Sequence, residues 1–404
     1  HLMRLSKNVT AVFIAKKPEL LPFVGDDGCI VVELNKTLYG LREASRSFHD
    51  LITETLCNNG LTQSRVDKCL FYRTDAEGNR TLVVLYVDDL LIMTTKPEDG
   101  AALVASMRKQ YDEITVKEGP SVSFLGMEIT TDEEWNVKVK QSTFVGKIID
   151  EAGITDTAPT AANAEIMRDH RDDPPTDPSS FYSLTMKLMY AAVRTRPDII
   201  YPVTVLAGRV KAPTVGDRAC LDHILRYLNG TREDGLVFRA DAVWNVSMSV
   251  DASFNHHYDA KGHSGLVIFA ATGSAGILIK SLKQKVVANS SCEAELIALH
   301  EGILYLLWIT SIYVELGYVA PAAIQVGQDN QAAILLSKED PVNFRGRSKF
   351  INRMYFSVYE HVESGVVELV HVGTEDTVSD FMTKSLIGDR FRKFKVVLMG
   401  STGA

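Results

Sequence analysis

The sequence predicts a multidomain protein that mixes α/β and α+β organisation. Three observations carry this. Thr81–Thr95 is two apolar runs around Asp88–Asp89, a hairpin pattern, and a helix-spaced stretch precedes it. Trp244, Val246, Met248 and Val250 alternate as in a half-buried strand, and further strand-like runs and a long helix-spaced segment come after it. Between the two regions, Asp169–Ser180 (DHRDDPPTDPSS) holds three prolines and four aspartates and reads as an exposed linker. A chain of 404 residues has room for two to four domains at roughly 100–200 residues each. The expected segments are 1–168, 169–240 and 241–404, the second boundary falling where a helix ends at Asn229–Gly230.

Taken in chain order, Ala44–Asn58 is helical, with Phe48, Leu51, Ile52 and Leu56 near 3.6-residue spacing and Gly60 just past the end. Phe181–Val193 and Val215–Leu228 are helical stretches of the middle segment. In the last segment a strand closes at Asp251, and Gly265–Ala271 and Gly276–Lys280 add two more. Ser290–Ser291 opens a long helix with Leu296, Leu299, Ile303, Leu306 and Leu307 along one stripe. Ala323–Gly327 is a short strand running into Asp329 and a helix, NQAAILLS. A helix around Phe350–Val362, a strand at Val366–Val372 and a final helix from Thr377 to Lys384 complete the chain. Three strands, a helix, a strand and further helices predict a mixed sheet flanked by helices.

Composition narrows the function. Apolar residues are 46% and charged residues 23%, too apolar for global disorder. No run of about 18 uncharged apolar residues occurs, so no membrane-spanning helix is expected. Five cysteines, never as C-x-x-C, argue against a disulfide framework or a cysteine-rich zinc site and favour a reducing compartment. The net charge of −8 argues against coating nucleic acid by bulk attraction, so any binding rests on local clusters. HLMRLSKNVT is too polar for a signal peptide, and a first residue of histidine marks the chain as an expected fragment or processed piece.

Two carboxylate groups stand out. Asp88–Asp89 puts adjacent like charges at a hairpin turn, where Asn-Gly or Asp-Gly is favoured; a divalent cation would relieve the repulsion, and a solvated turn is the plain alternative. Asp251, Glu293, Asp329 and Asp380 each sit at the end of a regular element. In an α/β sheet such ends converge, and four carboxylates together would bind two hard cations. Each also has a local reading: Glu293 three residues after Ser290 completes a capping box, Asp329 caps a helix, and Asp380 complements a helix dipole.

Basic clusters at Lys280, Lys283 and Lys285, and at Arg345, Arg347, Lys349 and Arg353, fit phosphate contacts or a solvated face. His256–His257 and His263 lack a cysteine or H-E-x-x-H context, so zinc is not expected there. His371 reads as a strand-surface residue near Asp380. No P-loop, dinucleotide-binding or nucleophile-elbow motif occurs.

A series of motifs then carries a resemblance. LNKTLYGLREASRSF (34–48), YVDDLLI (86–92), FLGMEI (124–129), LMYAAVRTRPDI (188–199), LRYLNGT (225–231), VDASF (250–254), SSCEAELIAL (290–299), DNQAAI (329–334) and VSDFMTK (378–384) occur in one order. Together they resemble the reverse transcriptase and ribonuclease H region of a copia-type LTR retrotransposon Pol polyprotein. The resemblance implies a partial polymerase palm and thumb with fingers missing, then a helical connection, then a ribonuclease H-like mixed sheet flanked by helices. It implies Asp88 and Asp89 as polymerase metal ligands, and Leu38–Arg46 as the start of a helix lining the nucleotide and template site, with Arg42 and Arg46 at nucleic acid. It implies Asp251, Glu293, Asp329 and Asp380 as ligands of two Mg2+ ions, Mn2+ being a substitute. Lys283, Lys285, Arg345, Arg347 and Lys349 would contact nucleic acid.

The implied partners are template-primer, RNA–DNA hybrid, dNTPs and other Pol and Gag segments, without a membrane. The implied location is cytoplasmic, in virus-like particles, with the nucleus second. Departures qualify this: the family's first polymerase aspartate would precede residue 1, Glu43 stands where glutamine is usual, and a K-H-I-D stretch reads Lys349-Phe350-Ile351-Asn352. The expected function is reverse transcription with hydrolysis of the RNA strand. The rival is a decayed or domesticated relic that binds nucleic acid without chemistry.

Overall fold

The computed structural model describes residues 2–35, 44–111, 113–340 and 349–401. By contact the chain forms two units, His1–Ile114 and Thr115–Ala404.

In the first unit, β1 (Leu2–Leu5) pairs antiparallel with β2 (Ile30–Glu33), and α1 (Lys7–Lys16) lies between them in sequence. α2 (Ala44–Asn58) then precedes a four-stranded antiparallel sheet of β3 (Thr62–Gln63), β4 (Leu70–Thr74), β5 (Arg80–Tyr86) and β6 (Asp89–Thr94), closed by α3 (Pro97–Gln110). The inward positions of β5 alternate as Thr81, Val83 and Leu85. Val83 and Leu85 meet Ile52 and Leu56 of α2 and Leu103 and Met107 of α3 in one apolar cluster. Two residues, Val87 and Asp88, join β5 to β6, with Tyr86 opposite Asp89. Val87 takes φ 55°, a left-handed conformation that a β-branched side chain rarely adopts.

The second unit begins with β7 (Ser121–Phe124), β8 (Met127–Thr131) and β9 (Val137–Lys140). These form an antiparallel sheet completed by β10 (Gly235–Phe238), which pairs with β9. Between β9 and β10 run α4 (Ser142–Ala152), α5 (Pro178–Arg194), α6 (Ile200–Ala207) and α7 (Val215–Gly230). Residues 115–168 thus pack with the helices of 169–240 and with β10. The proline-rich stretch before α5 is mostly exposed, yet it is tied down: His170 is buried against Asp173, and Asp177 caps α5 through the Ser179 and Ser180 amides.

The remaining strands are β11 (Trp244–Ser253), β12 (His263–Ala271), β13 (Gly276–Lys283), β14 (Ile324–Gln328) and β15 (Val367–His371). The sheet order is β13-β12-β11-β14-β15; the first three are antiparallel, while β14 and β15 run parallel to β11. The parallel crossovers are α8 (Ser291–Glu315), and then α9 (Gln331–Leu336) with α10 (Lys349–Glu363). One face of the sheet packs on α8 and α10 through Met248, Val250, Leu266, Val326, Leu299, Ile303 and Leu306. α8 is long and apolar enough to cross a membrane by composition, but the expected stripe Leu296, Leu299, Ile303 and Leu306 is buried in this core. The other face, at Val267, Phe269 and Ile279, joins the core of the helices before it, together with Phe381, Phe391 and Phe394. This is the mixed sheet flanked by helices that the sequence order predicts.

The C-terminal segment differs from expectation. Val378–Met382 is a short 3-10 turn, and the last helix is α11 (Gly388–Met399), beyond the predicted end at Lys384. Phe391, Phe394 and Leu398 give α11 its buried stripe.

Candidate metal centre of the mixed sheet

Asp251 lies on the central strand β11, Asp329 directly follows the neighbouring strand β14, and Glu295 lies in the second turn of α8. One carboxylate oxygen from each meets the other two within 4.8 Å. Asp251 and Glu295 are 2% and 4% exposed, so their charge is largely cut off from water. Burial pushes the Asp251 carboxyl up to about 6, with Lys384 opposing the shift and Asp380 and Asp329 adding to it. Burial, then Asp251 and Asp329, push Glu295 well above the carboxylate range. Gln328 Nε2 donates to Glu295 Oε2 at 3.1 Å, and Thr383 Oγ1 donates to Asp251 Oδ2. Three hard oxygen donors crowded in low dielectric fit a divalent cation of the Mg2+ class.

Glu293, expected in this group, is not in it. Successive helical residues turn by about 100°, so two residues apart on α8 put Glu293 and Glu295 on different faces. Glu293 instead turns back and accepts from the Asn289 amide at 2.7 Å and Asn289 Nδ2 at 3.0 Å, while its own amide donates to Ser290 Oγ. Only half of the expected capping box forms, because the Glu293 carboxylate reaches Asn289 rather than the Ser290 amide, and the glutamate that joins the acidic group is Glu295. The signal is present in the sequence: Glu295 precedes Leu299 by four residues, on the stripe that faces the sheet.

Asp380 is fully buried beside the group but outside it. Its two oxygens are taken by Lys384, at 2.6 Å, and by Arg390. Lys384 Nζ also stands 3.7 Å from Asp251. Burial alone would lower the Lys384 pKa; Asp251 and Asp380 more than reverse it. The turn that carries Asp380 lies directly on the sheet. Ser249 Oγ meets Ser379 Oγ at 2.8 Å, Ser253 Oγ donates to Thr383 O at 3.2 Å, and Ser281 Oγ donates to Met382 O at 2.7 Å. Gly265, opposite Asp251 on β12, gives the clearance: a Cβ there would lie 2.6 Å from Met382 Cβ and 2.9 Å from Ser379 O.

The other expected site residues stand apart from this centre. Asp88 and Asp89 are exposed at the hairpin turn, and among the described residues no third ligand-type side chain joins them at ligand distance. Arg46 is exposed on α2, 3.9 Å from Asp50. Lys283 is exposed and pairs with Asp259 at 2.9 Å, and Lys285 is exposed near Glu301. Arg42, Arg345 and Arg347, with Glu43, lie outside the described residues, as does the Lys349 side chain. His371 is exposed on β15, as its strand reading predicts.

Comparison with known proteins agrees with the motif series. Residues 8–165 match the family described as reverse transcriptase (RNA-dependent DNA polymerase). The chain is 28% identical over 380 residues to the retrovirus-related Pol polyprotein from transposon TNT 1-94 of Nicotiana tabacum, covering 91% of this chain and 28% of that protein. It is 28% identical over 371 residues to the retrovirus-related Pol polyprotein from transposon RE2 of Arabidopsis thaliana, covering 90% of this chain and 25% of that one. The chain thus spans about a quarter of the length of these curated relatives. Among solved structures it is similar to the N-terminal RNase H domain of Rv2228c from Mycobacterium tuberculosis, at 12% identity and TM-score 0.26, covering 35% of this chain and 91% of that one. At that score the likeness adds nothing to the sheet topology. In its motif order and across nine-tenths of its length, the chain is similar to retrovirus-related Pol polyproteins of transposons, and residues 8–165 match the reverse transcriptase family.

Proposed function

We propose that 241–404 hydrolyses the RNA strand of RNA–DNA hybrids, and that 1–168 belongs to the RNA-directed DNA polymerase of the same element. The observation that carries the nuclease reading is the meeting of Asp251, Glu295 and Asp329, from two strands and a helix, within 4.8 Å in a buried corner of the sheet. These three would hold Mg2+, with Mn2+ as substitute. When bound, such a cation supplies positive charge to a phosphodiester and acidifies a water molecule. Thr383 and Gln328 hold Asp251 and Glu295 in place by hydrogen bonds, so the carboxylates need little rearrangement to ligate. Lys384 and Arg390 neutralise Asp380 and keep positive charge at the mouth of the site, where a phosphate would approach. Hybrid would be distinguished from DNA duplex through 2′-hydroxyl contacts and groove shape.

For the polymerase, Asp88 and Asp89 at the β5–β6 turn are the carboxylates we assign to metal, and the strained Val87 beside them fits a functional turn. The test of the nuclease reading is Mg2+-dependent cleavage of a labelled RNA–DNA hybrid by the full chain. Cleavage that survives Asp251→Asn or Glu295→Gln at the wild-type rate overturns the assignment of these carboxylates, and no cleavage at all overturns the nuclease reading in favour of a relic that binds nucleic acid without Mg2+.

A further inference from the structure

We propose that His256, His257 and His263 form a second, chemically different metal site, which takes a borderline transition-metal cation such as Zn2+ through three imidazoles. His256 and His257 lie in the β11–β12 connection, and His263 opens β12. One ring nitrogen from each lies within 4.8 Å of the other two. The carboxylate centre offers only oxygen and suits hard cations, whereas this cluster offers only nitrogen.

The hydrogen bonds decide where the ring protons are. Ser281 Oγ gives its single hydrogen to Met382 O at 2.7 Å. At 2.7 Å from His263 Nε2 it must then accept, so Nε2 carries the His263 proton and Nδ1 keeps its lone pair. That lone pair faces His257 Nε2 at 3.0 Å. A metal ion would take both nitrogens at almost their present separation, with the shared proton passing to His257 Nδ1 so that the ring stays neutral, since tetrahedral Zn–N bonds of about 2.0–2.1 Å place ligand nitrogens roughly 3.3 Å apart. The Nε2–H···Oγ bond from His263 to Ser281 is the kind of outer contact that fixes a ligating imidazole. The Tyr201 hydroxyl stands 3.1 Å from His256 Nε2, so His256 would ligate through Nδ1 while Tyr201 holds the ring.

Access and charge agree with this assignment. His256 and His257 line a cavity of about 160 Å³ with Met167, Val205, Arg209 and Lys283, which gives an ion a way in and room for a fourth ligand. The two cations on that wall are already paired, Arg209 with Asp217 at 2.8 Å and Lys283 with Asp259 at 2.9 Å.

The test titrates Zn2+ and Co2+ alone into the full chain with saturating Mg2+ present, reading calorimetry and the visible absorption of four-coordinate Co2+. The expected result is one Zn2+ per chain and a Co2+ spectrum, with affinity lowered at least about ten-fold by His257→Ala and by His263→Ala and unchanged in Asp251→Asn/Glu295→Gln. His257 is less buried than His263, so its variant keeps the test valid if the His263→Ala chain fails to fold. Three results overturn the site: Zn2+ binding weaker than about 0.1 mM, binding indifferent to His257→Ala, or binding lost with the two carboxylates. Any of them leaves the three rings as a hydrogen-bonded packing cluster only.

Discussion

Lys384 Nζ stands 2.6 Å from Asp380 Oδ1 and 3.7 Å from Asp251 Oδ2, a part-exposed cation bridging two buried acids. A fixed positive charge at that distance from a ligand opposes any incoming cation. Lys384→Met is therefore expected to bind Mn2+ at least about ten-fold more tightly than wild type. Calorimetric titration checks this, and equal or weaker binding contradicts it.

The two glutamates of α8 separate by role. Glu295→Gln removes a carboxylate of the proposed metal centre and is expected to cut divalent-cation affinity and hybrid cleavage by about a hundred-fold or more. Glu293→Ala removes a helix-start contact and is expected to cost about 1 kcal/mol of stability while cation affinity stays within a few-fold. Chemical denaturation and calorimetry on both variants decide it; the reverse pattern would restore Glu293 to the site.

Asp251 links stability to pH. Its carboxyl ordinarily titrates near 3.8 and is pushed up to about 6 by burial, against the pull of Lys384. Between those values the folded chain holds a proton that the unfolded chain has released. Without divalent cation this residue therefore favours folding less and less as pH rises from about 4 through 6, by at most about 3 kcal/mol. Asp251→Asn, which cannot ionise, should gain stability over wild type as pH rises from about 4 to about 7.5 in chelator. Urea midpoints that shift in parallel across that range would contradict the linkage.

The LMYAAVRTRPDI motif predicts a scaffold effect. Its Arg196 and Asp198 are both fully buried, joined at 2.8 Å, with Tyr227 donating to Asp198 at 2.5 Å and Arg196 Nη1 donating to Thr231 O at 2.7 Å. Burial works against the charged form of Asp198, and Arg196 outweighs it, so its carboxyl is held below the usual range. Breaking the pair with Arg196→Met strands a buried charge and is expected to cost about 3–5 kcal/mol, and Arg196→Met/Asp198→Leu less than that. Thermal unfolding of the single and double variants measures the difference.

The long periodic elements are legible from residues alone. α2 covers the predicted 44–58, and β11, the flanking strands and α8 fall where alternation and the Leu296–Leu306 stripe place them. Asp251 and Asp329 reach the site because strand ends converge, a rule of sheet geometry. Glu293 misleads because a capping glutamate and a site glutamate stand two residues apart, and helical phase rather than motif position separates them. Asp380 is legible but its partners are not: Arg390 lies on α11, a helix outside the predicted elements although Phe391, Phe394 and Leu398 show its spacing. The clustering of His256, His257 and His263 cannot be read from spacing, because Ser281 and Tyr201, which hold the rings, come from distant elements.

Gly265 carries no chemistry, yet the docking of the 378–382 turn depends on it, because Met382 and Ser379 occupy the place of any larger residue. Among genomic copies of such an element, this position becomes a gauge of decay. On the proposed nuclease reading, a side chain at 265 would push the turn that carries Asp380 and Thr383 away from Asp251 and would silence hybrid cleavage even where every acid is still encoded. Surveys that count surviving carboxylates alone would score such copies as intact.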